Sequence, residues 1–284
     1  MNAPVTLTET HRDMSEKIRD LTEDEIAFFM ENGWVHAPGF ITPELCDDVV
    51  QHYMDWTGLK WKEWPSDPAE QAEFMAVVDN VKTRGQKARM AIRQSDPWMF
   101  NFICQRKFGE AAARLLDVPS IKPISDTLHV KYPMSSGSSA TLPWHQDFPA
   151  IPIDRAEAVQ TWLALVDITP EMGPMTHLSG SHREKPGGML GYGSETAEEL
   201  YPEIFKKYAP SKLKPLAKGD AVFHHVLTYH CSGLNKTDKV RWAMSSIRVS
   251  ARSIYTGQSN VNTNDLGLTP LKLLDHPNFP TVYP

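Results

Sequence analysis

The sequence predicts an antiparallel β sandwich with a helical buttress, a mainly β α+β fold, and three observations carry that class. Amphipathic stretches with helix-capping signals fill the first 118 residues. From Pro119 to about residue 255 the chain changes to short alternating runs broken by Gly, Pro and Ser, the signature of closely spaced strands. No linker-like segment divides the halves, so the helices are expected to cover one sheet and leave the other face for a site.

Residues 1–20, polar and acid-bearing, read as a flexible leader, and 21–284 as a single domain with helical support over 21–118 and core strands over about 120–255. Thr22 and Glu25 form a capping box ahead of Ile26, Phe29 and Met30 on one helical face, and Gly33 ends that helix. Residues 34–40 then read as a short strand and turn. Thr42 caps a second helix with Pro43 at its first position and an apolar stripe of Leu45, Val49, Val50 and Tyr53. The loop carrying Trp56, Trp61 and Trp64 is either a core edge or the wall of a substrate cavity. Residues 72–82, 96–105 and 107–118 read as further helices, and the basic run 82–93 as a solvated face with an anion-binding role as the alternative. Strands are expected around 124–132, over 158–168, after the turn at Gly173, after Gly219, and over 239–252. In the first of these Thr127, His129 and Lys131 share a face. The stretch 184–216 is a polar insertion whose Gly-bearing part, 187–193, suits a mobile lid, and the tail after Ser259 reads as irregular.

The bulk numbers exclude several classes. With 284 residues the chain can bury a large core unaided. A net charge of -6 offers no basic footprint for nucleic acid, and no apolar run reaches the roughly 18 residues that span a bilayer. Cys46, Cys104 and Cys231 make no paired framework and read as small buried hydrophobes, which suits a cytoplasmic protein acting on a small molecule. Whether it works as a monomer or a homodimer is open.

The chemistry gathers at Trp144-His145-Gln146-Asp147. A histidine and an aspartate two apart on an extended segment point to one side and offer a nitrogen and an oxygen to a common point. Two histidines and one carboxylate with positions left open are the ligand set of non-haem Fe(II) oxygenases. His230, at the turn leading back into the last strand, is the attractive third ligand, with His225 not excluded by periodicity. His177 and His182 read as turn residues, and one of His224 and His225 as an inward-packed histidine beside the site. Arg241 suits a carboxylate through its planar fork; Arg248, an odd step further, faces the other way. Lys131 can add a second positive charge.

The order K-x-P, W-H-Q-D, T-W-L-A-L, G-S-H-R, G-D-A-V-F-H, Y-H-C-S-G-L-N, R-W-A resembles the phytanoyl-CoA dioxygenase family over roughly residues 22–250. The resemblance implies a double-stranded β-helix (jelly roll, cupin-like) and an enzyme using Fe(II), 2-oxoglutarate and O2. It implies His145, Asp147 and His230 as iron ligands, Arg241 as the 2-oxoglutarate arginine, and Lys131, Trp162 and Ser232 as further co-substrate contacts. The filled carboxylate position argues for oxygenation over halogenation. Two departures lie outside these positions: Met172-Gly173 where the family has N-G, and Ser179-Gly180-Ser181-His182 where it has P-G-S-H. Tyr132, Met134 and Phe148, with Trp144 and the tryptophans at 56–64, are candidate pocket residues. They suggest hydroxylation of an apolar or aromatic metabolite, a tailoring step in natural-product biosynthesis. The alternatives are desaturation, epimerisation or ring formation by the same chemistry, an acyl-CoA-type substrate, or a non-oxidative metal-binding cupin (hydrolase or binding module).

Overall fold

In the computed structural model, residues 13–80, 90–188 and 195–284 are described. Two antiparallel sheets face each other. The larger runs β1 (Trp34–Ala37), β6 (Ala221–His225), β4 (Ala158–Ala164), β8 (Arg241–Ser250), β2 (Ile121–Lys131); the smaller runs β3 (Leu142–His145), β7 (His230–Ser232), β5 (Met175–His177). A hairpin of β9 (Ile254–Tyr255) and β10 (Lys272–Leu273) lies apart. This is the expected jelly roll.

Period-two alternation decides what each face of the larger sheet meets. Its outer face carries Val35, Leu128, Val130, Leu163, Phe223, Trp242 and Met244 into the main core. Helices α2 (Pro43–Thr57), α3 (Pro68–Val78), α4 (Pro97–Ile103) and α5 (Arg106–Leu116) close that core through Leu45, Val49, Phe74, Phe102 and Phe108. Arg248 points to this side, donating to Thr161 Oγ1 and the Ile103 carbonyl beneath the Phe108 ring, so it is remote in direction from Arg241. The inner face presents Trp34, Gln160, Trp162, His224, His129, Lys131, Arg241 and Ser245 toward the smaller sheet. The registers Trp34↔His224↔Gln160 and Lys131↔Arg241 bring them level.

Local sequence explains the helix ends. Thr22 accepts from the Glu25 backbone while the Glu25 side chain accepts from Thr22, and Gly33 takes the left-handed conformation that ends α1 (Glu23–Asn32). Thr42 and Pro43 open α2 as expected. Two expectations need correcting, and two gain detail. Met30 is 52% exposed, and Phe29 is the buried residue of α1. Organised structure starts before residue 21, because Met14, Ile18 and Leu21 are buried, Ile18 bridges Ile41, and Met14 N–H donates to Gln105. The part of the leader before residue 13 lies outside the described residues. The insertion forms two short helices, α6 (Ala197–Leu200) under a Thr196–Glu199 capping box and α7 (Pro202–Lys207). Apart from β10 the tail is irregular, yet it is anchored: Leu274 and Phe279 are buried, and Ile121 exchanges backbone hydrogen bonds with Val282 and Tyr283. Residues 82–89 of the basic run and 189–193 of the expected lid lie outside the described residues. Arg93, the last of that run, is fully buried in an ion pair with Asp126. No helix among the described residues is long and apolar enough to cross a membrane.

Candidate metal and dicarboxylate site

His145 ends β3, and His230 opens its neighbour β7 directly opposite, so the ladder itself sets the two imidazoles side by side, ring centres 4.1 Å apart. Asp147 arrives differently from expectation. The strand stops at His145, and Asp147 has helical φ/ψ at the start of the 3-10 turn Phe148–Ala150. The bend, rather than strand alternation, turns its carboxylate back toward the histidines. Asp147 Oδ1 then lies 3.8 Å from Nε2 of both His145 and His230, and one donor atom from each of the three residues falls within 4.8 Å of the others.

The protons on this cluster are fixed by its surroundings. His145 Nδ1 is 2.8 Å from the Pro143 carbonyl, and His230 Nδ1 is 3.0 Å from that of Thr228. Carbonyls only accept, so both Nδ1 atoms carry a proton and both Nε2 atoms face the Asp147 carboxylate. Burial, with His145 and His224 beside it, drives the His230 pKa well below its ordinary value, which keeps it neutral. Burial pushes the Asp147 carboxyl up, but His230, a hydrogen bond from His224, and His145 together hold it well below the usual carboxylate range. Two imidazole Nε2 atoms and a carboxylate oxygen converging within 4.8 Å of one another fit a divalent transition metal, with positions left open. His225, the competitor left by periodicity, points away: its Nδ1 accepts from Leu227 N–H, and burial pushes it down to about 4.

Two residues beyond His230, on the same face of β7, Ser232 accepts from Lys131 Nζ at 2.9 Å. Lys131 also donates to the Gly233 carbonyl and stands opposite Arg241 in the β2–β8 register. Arg241 is buried, with its guanidinium 5.4 Å over the Trp162 ring and Nη1 donating to the Gly173 carbonyl. Its Nε has no partner, and no carboxylate pairs with either cation among the described residues. Burial, then the charge of Arg241, pushes Lys131 down to about 7, and burial pushes Arg241 down to about 10. A buried and a half-buried cation side by side without a counter-ion are costly unless an anion joins them. They line a cleft of about 310 Å³ shared with Asp79, His129, Val130, Tyr132, Ser138 and Ala140. All four residues expected around a dicarboxylate therefore meet.

The pocket candidates scatter. Tyr132 packs between Trp64 and Phe74 with its hydroxyl toward Asp79, and lines the cleft. Met134 is half exposed in a 3-10 turn; Phe148 packs against the cluster of Ile151, Ile153 and Tyr255; Trp144 meets Phe205 of α7 edge-on. Trp56, Trp61 and Trp64 pack on the main core, which makes that loop a core edge. Two residues were missed in the sequence. Gln160, two before Trp162 on β4, brings its amide within 3.1 Å of His224, and the shared strand face could have flagged it. Gly173, at φ +66, anchors Arg241; its signal was the turn itself.

The family model for phytanoyl-CoA dioxygenase (PhyH) matches residues 29–243. The human peroxisomal phytanoyl-CoA dioxygenase is 28% identical over 162 residues, 53% of this chain and 47% of that protein, so the match spans about half the length of this relative. In structure, the non-haem α-ketoglutarate-dependent carbocyclase SnoK from nogalamycin biosynthesis aligns with a TM-score of 0.70 at 21% identity, covering 99% of both chains. The epimerase SnoN, solved with Fe3+, α-ketoglutarate and nogalamycin RO, aligns at 0.68 and 20% identity over 92% of this chain and 98% of its own. At these identities the structural likeness speaks to the fold, and the family match covers the segment holding every site residue named above. The chain belongs to the phytanoyl-CoA dioxygenase family of Fe(II)/2-oxoglutarate-dependent oxygenases.

Proposed function

We propose that the protein hydroxylates an unactivated C–H bond of a small, apolar or aromatic metabolite, as a tailoring step in natural-product biosynthesis. His145, Asp147 and His230 hold Fe(II), and Arg241, Lys131, Ser232 and Trp162 hold 2-oxoglutarate. The observation that carries the assignment is the pairing of two unmet demands on one strand. The donor atoms converging around His230 call for a cation, and two residues along β7 the Lys131–Arg241 pair calls for an anion. A strand rise of about 3.4 Å per residue sets His230 and Ser232 roughly 7 Å apart along β7, a spacing that one short dicarboxylate can bridge.

Iron with 2-oxoglutarate supplies the oxidising power for C–H attack by reducing O2 as the co-substrate loses CO2. The chain supplies position. Arg241, immobilised by Gly173 and Trp162, receives the far carboxylate, and Lys131 adds a second charge-assisted bond. Gln146 bridges the Leu227 carbonyl and Gly187 N–H, tying the start of the insertion to the ligand loop. Beside the ligand loop, Trp144 packs with Phe205 and Tyr229 in a small apolar cluster.

Anaerobic titration with Fe(II) and 2-oxoglutarate tests the assignment. A weak charge-transfer absorption is expected in the wild type, and its loss in Asp147→Ala and Arg241→Ala. A wild type that binds metal without the band, and forms no succinate in air, refutes it. Succinate formation across a panel of apolar and acyl-thioester compounds then tests the substrate class.

A further inference from the structure

We propose that His224 is a positioning residue for the metal centre: it holds the second oxygen of Asp147 so that the carboxylate offers a single atom to the metal. The inference rests on the iron reading above. Asp147 Oδ1 is the oxygen facing His145 and His230, each 3.8 Å away, whereas Oδ2 lies 2.9 Å from His224 Nε2. A carboxylate only accepts, so His224 donates from Nε2, and its Nδ1 is left as an acceptor.

The neighbours select that tautomer and lock the ring. His177 Nε2 lies 3.4 Å from His224 Nδ1, where its N–H can donate. Gln160 Nε2 is placed 3.1 Å from the same His224 Nε2; one ring nitrogen cannot both accept from an amide N–H and donate to Asp147, so donation to Asp147 requires the Gln160 amide turned with Oε1 toward the ring, sharing the Nε2–H. His177 in turn stacks on Trp34, ring centres 5.0 Å apart and planes 7° from parallel, and Trp34 donates from Nε1 to Ser179 Oγ. His224 itself has no exposed surface and sits on β6 between β1 and β4. Trp34, His177 and His224 thus back the carboxylate with side chains from three strands.

The chemical consequence lies in the count of open positions. A free carboxylate next to a divalent metal can chelate with both oxygens and take one position more. With Oδ2 engaged, only Oδ1 is available, and three positions stay open for a two-point co-substrate and O2. Outer partners of this kind typically alter metal affinity by about 10–100-fold.

The test compares three substitutions by Co(II) and Mn(II) affinity, measured anaerobically on the full chain, with melting temperature recorded alongside. His224→Gln places an amide N–H near the lost Nε2–H, and its affinity is expected within about threefold of wild type. His224→Asn keeps an amide but falls short of Oδ2, and His224→Leu removes the donor; both are expected to bind at least tenfold more weakly. At saturating metal both should also bind 2-oxoglutarate more weakly, because the released carboxylate takes a position the co-substrate needs. A purely structural histidine would give parallel losses of melting temperature without this split between two amides of different reach. Equal metal affinity in all three variants and wild type, or His224→Gln as weak as His224→Leu, overturns the proposal. Absence of metal binding in the wild type would instead overturn the iron reading and this inference with it.

Discussion

Replacing Gly173 by alanine should weaken co-substrate binding without touching any group that meets the co-substrate. Gly173 has φ +66, and an added Cβ would lie 2.4 Å from the Gly233 carbonyl oxygen and 2.7 Å from that of Leu234. Those are backbone atoms, so no side chain can swing aside. The left-handed conformation costs alanine about 1–2 kcal/mol, and the forced backbone shift about 1–3 kcal/mol more. At about 2 °C per kcal/mol for a chain of this size, the melting temperature should drop by about 4–10 °C. The shift also moves both anchors of the cation pair, since Arg241 donates to the Gly173 carbonyl and Lys131 to that of Gly233. Losing the alignment of one charge-assisted hydrogen bond, about 1.5–3 kcal/mol, corresponds to roughly 10–100-fold weaker 2-oxoglutarate binding. Calorimetric titration of Mn(II)-loaded protein measures it. Gly58→Ala is the control: it has φ +76 with nothing within 4 Å of its Cβ position, and it closes α2 far from the cleft. It should lose only about 1–2 kcal/mol and bind 2-oxoglutarate normally. If Gly173→Ala matches Gly58→Ala in both measurements, the glycine contact does not set the clamp.

Lys131, pushed down to about 7 by burial and Arg241, is largely neutral above that pH and takes up a proton when a dicarboxylate binds. The 2-oxoglutarate Kd should be flat below pH 7 and rise up to tenfold per pH unit above it. Arg241, Asp79, His129 and Tyr132 are the other titratable groups facing the cleft, and Lys131→Met should abolish the slope; a slope that survives it assigns the proton elsewhere. Mn(II) at a hundred times its Kd should stabilise the fold by about 2.7 kcal/mol, seen as a higher melting temperature, and should have no effect on Asp147→Ala. Asp126→Ala leaves Arg93 charged and unpaired in a fully buried site. Urea denaturation should show a loss of about 3–5 kcal/mol, and a loss under about 1 kcal/mol would mean that water reaches the pair.

What the sequence disclosed follows the range of the interactions involved. Caps at Thr22 and Thr42 depend on residues three apart and were legible; the equally local Thr196–Glu199 box was there to be read, but the surrounding polar composition hid it. The opposite facing of Arg241 and Arg248 follows from strand period alone. His145 and Asp147 were paired for a reason that the fold replaces, since strand alternation fails where β3 ends and a bend does the work. The choice of His230 over His225 depended on which strand of the smaller sheet lies opposite β3, a fact about register that residue spacing cannot carry. The contact of Met14 with Gln105 and the clasp of Tyr283 on Ile121 join residues far apart in the chain, and polar local composition conceals them, as it does the shorter-range bridge from Ile18 to Ile41.

Trp34 has a bearing on inheritance as well as on chemistry. It sits on β1, in the helical half of the chain, yet it pairs in register with His224 and forms the floor beneath His177. A crossover near Pro119, where composition changes and a recombination boundary looks harmless, would separate that floor from the histidines resting on it. Chimeras between distant relatives should therefore retain metal affinity only when residues 34–37 and 175–177 come from the same parent as β6. The sandwich and its buttress are, in that sense, a single heritable unit despite their contrasting composition.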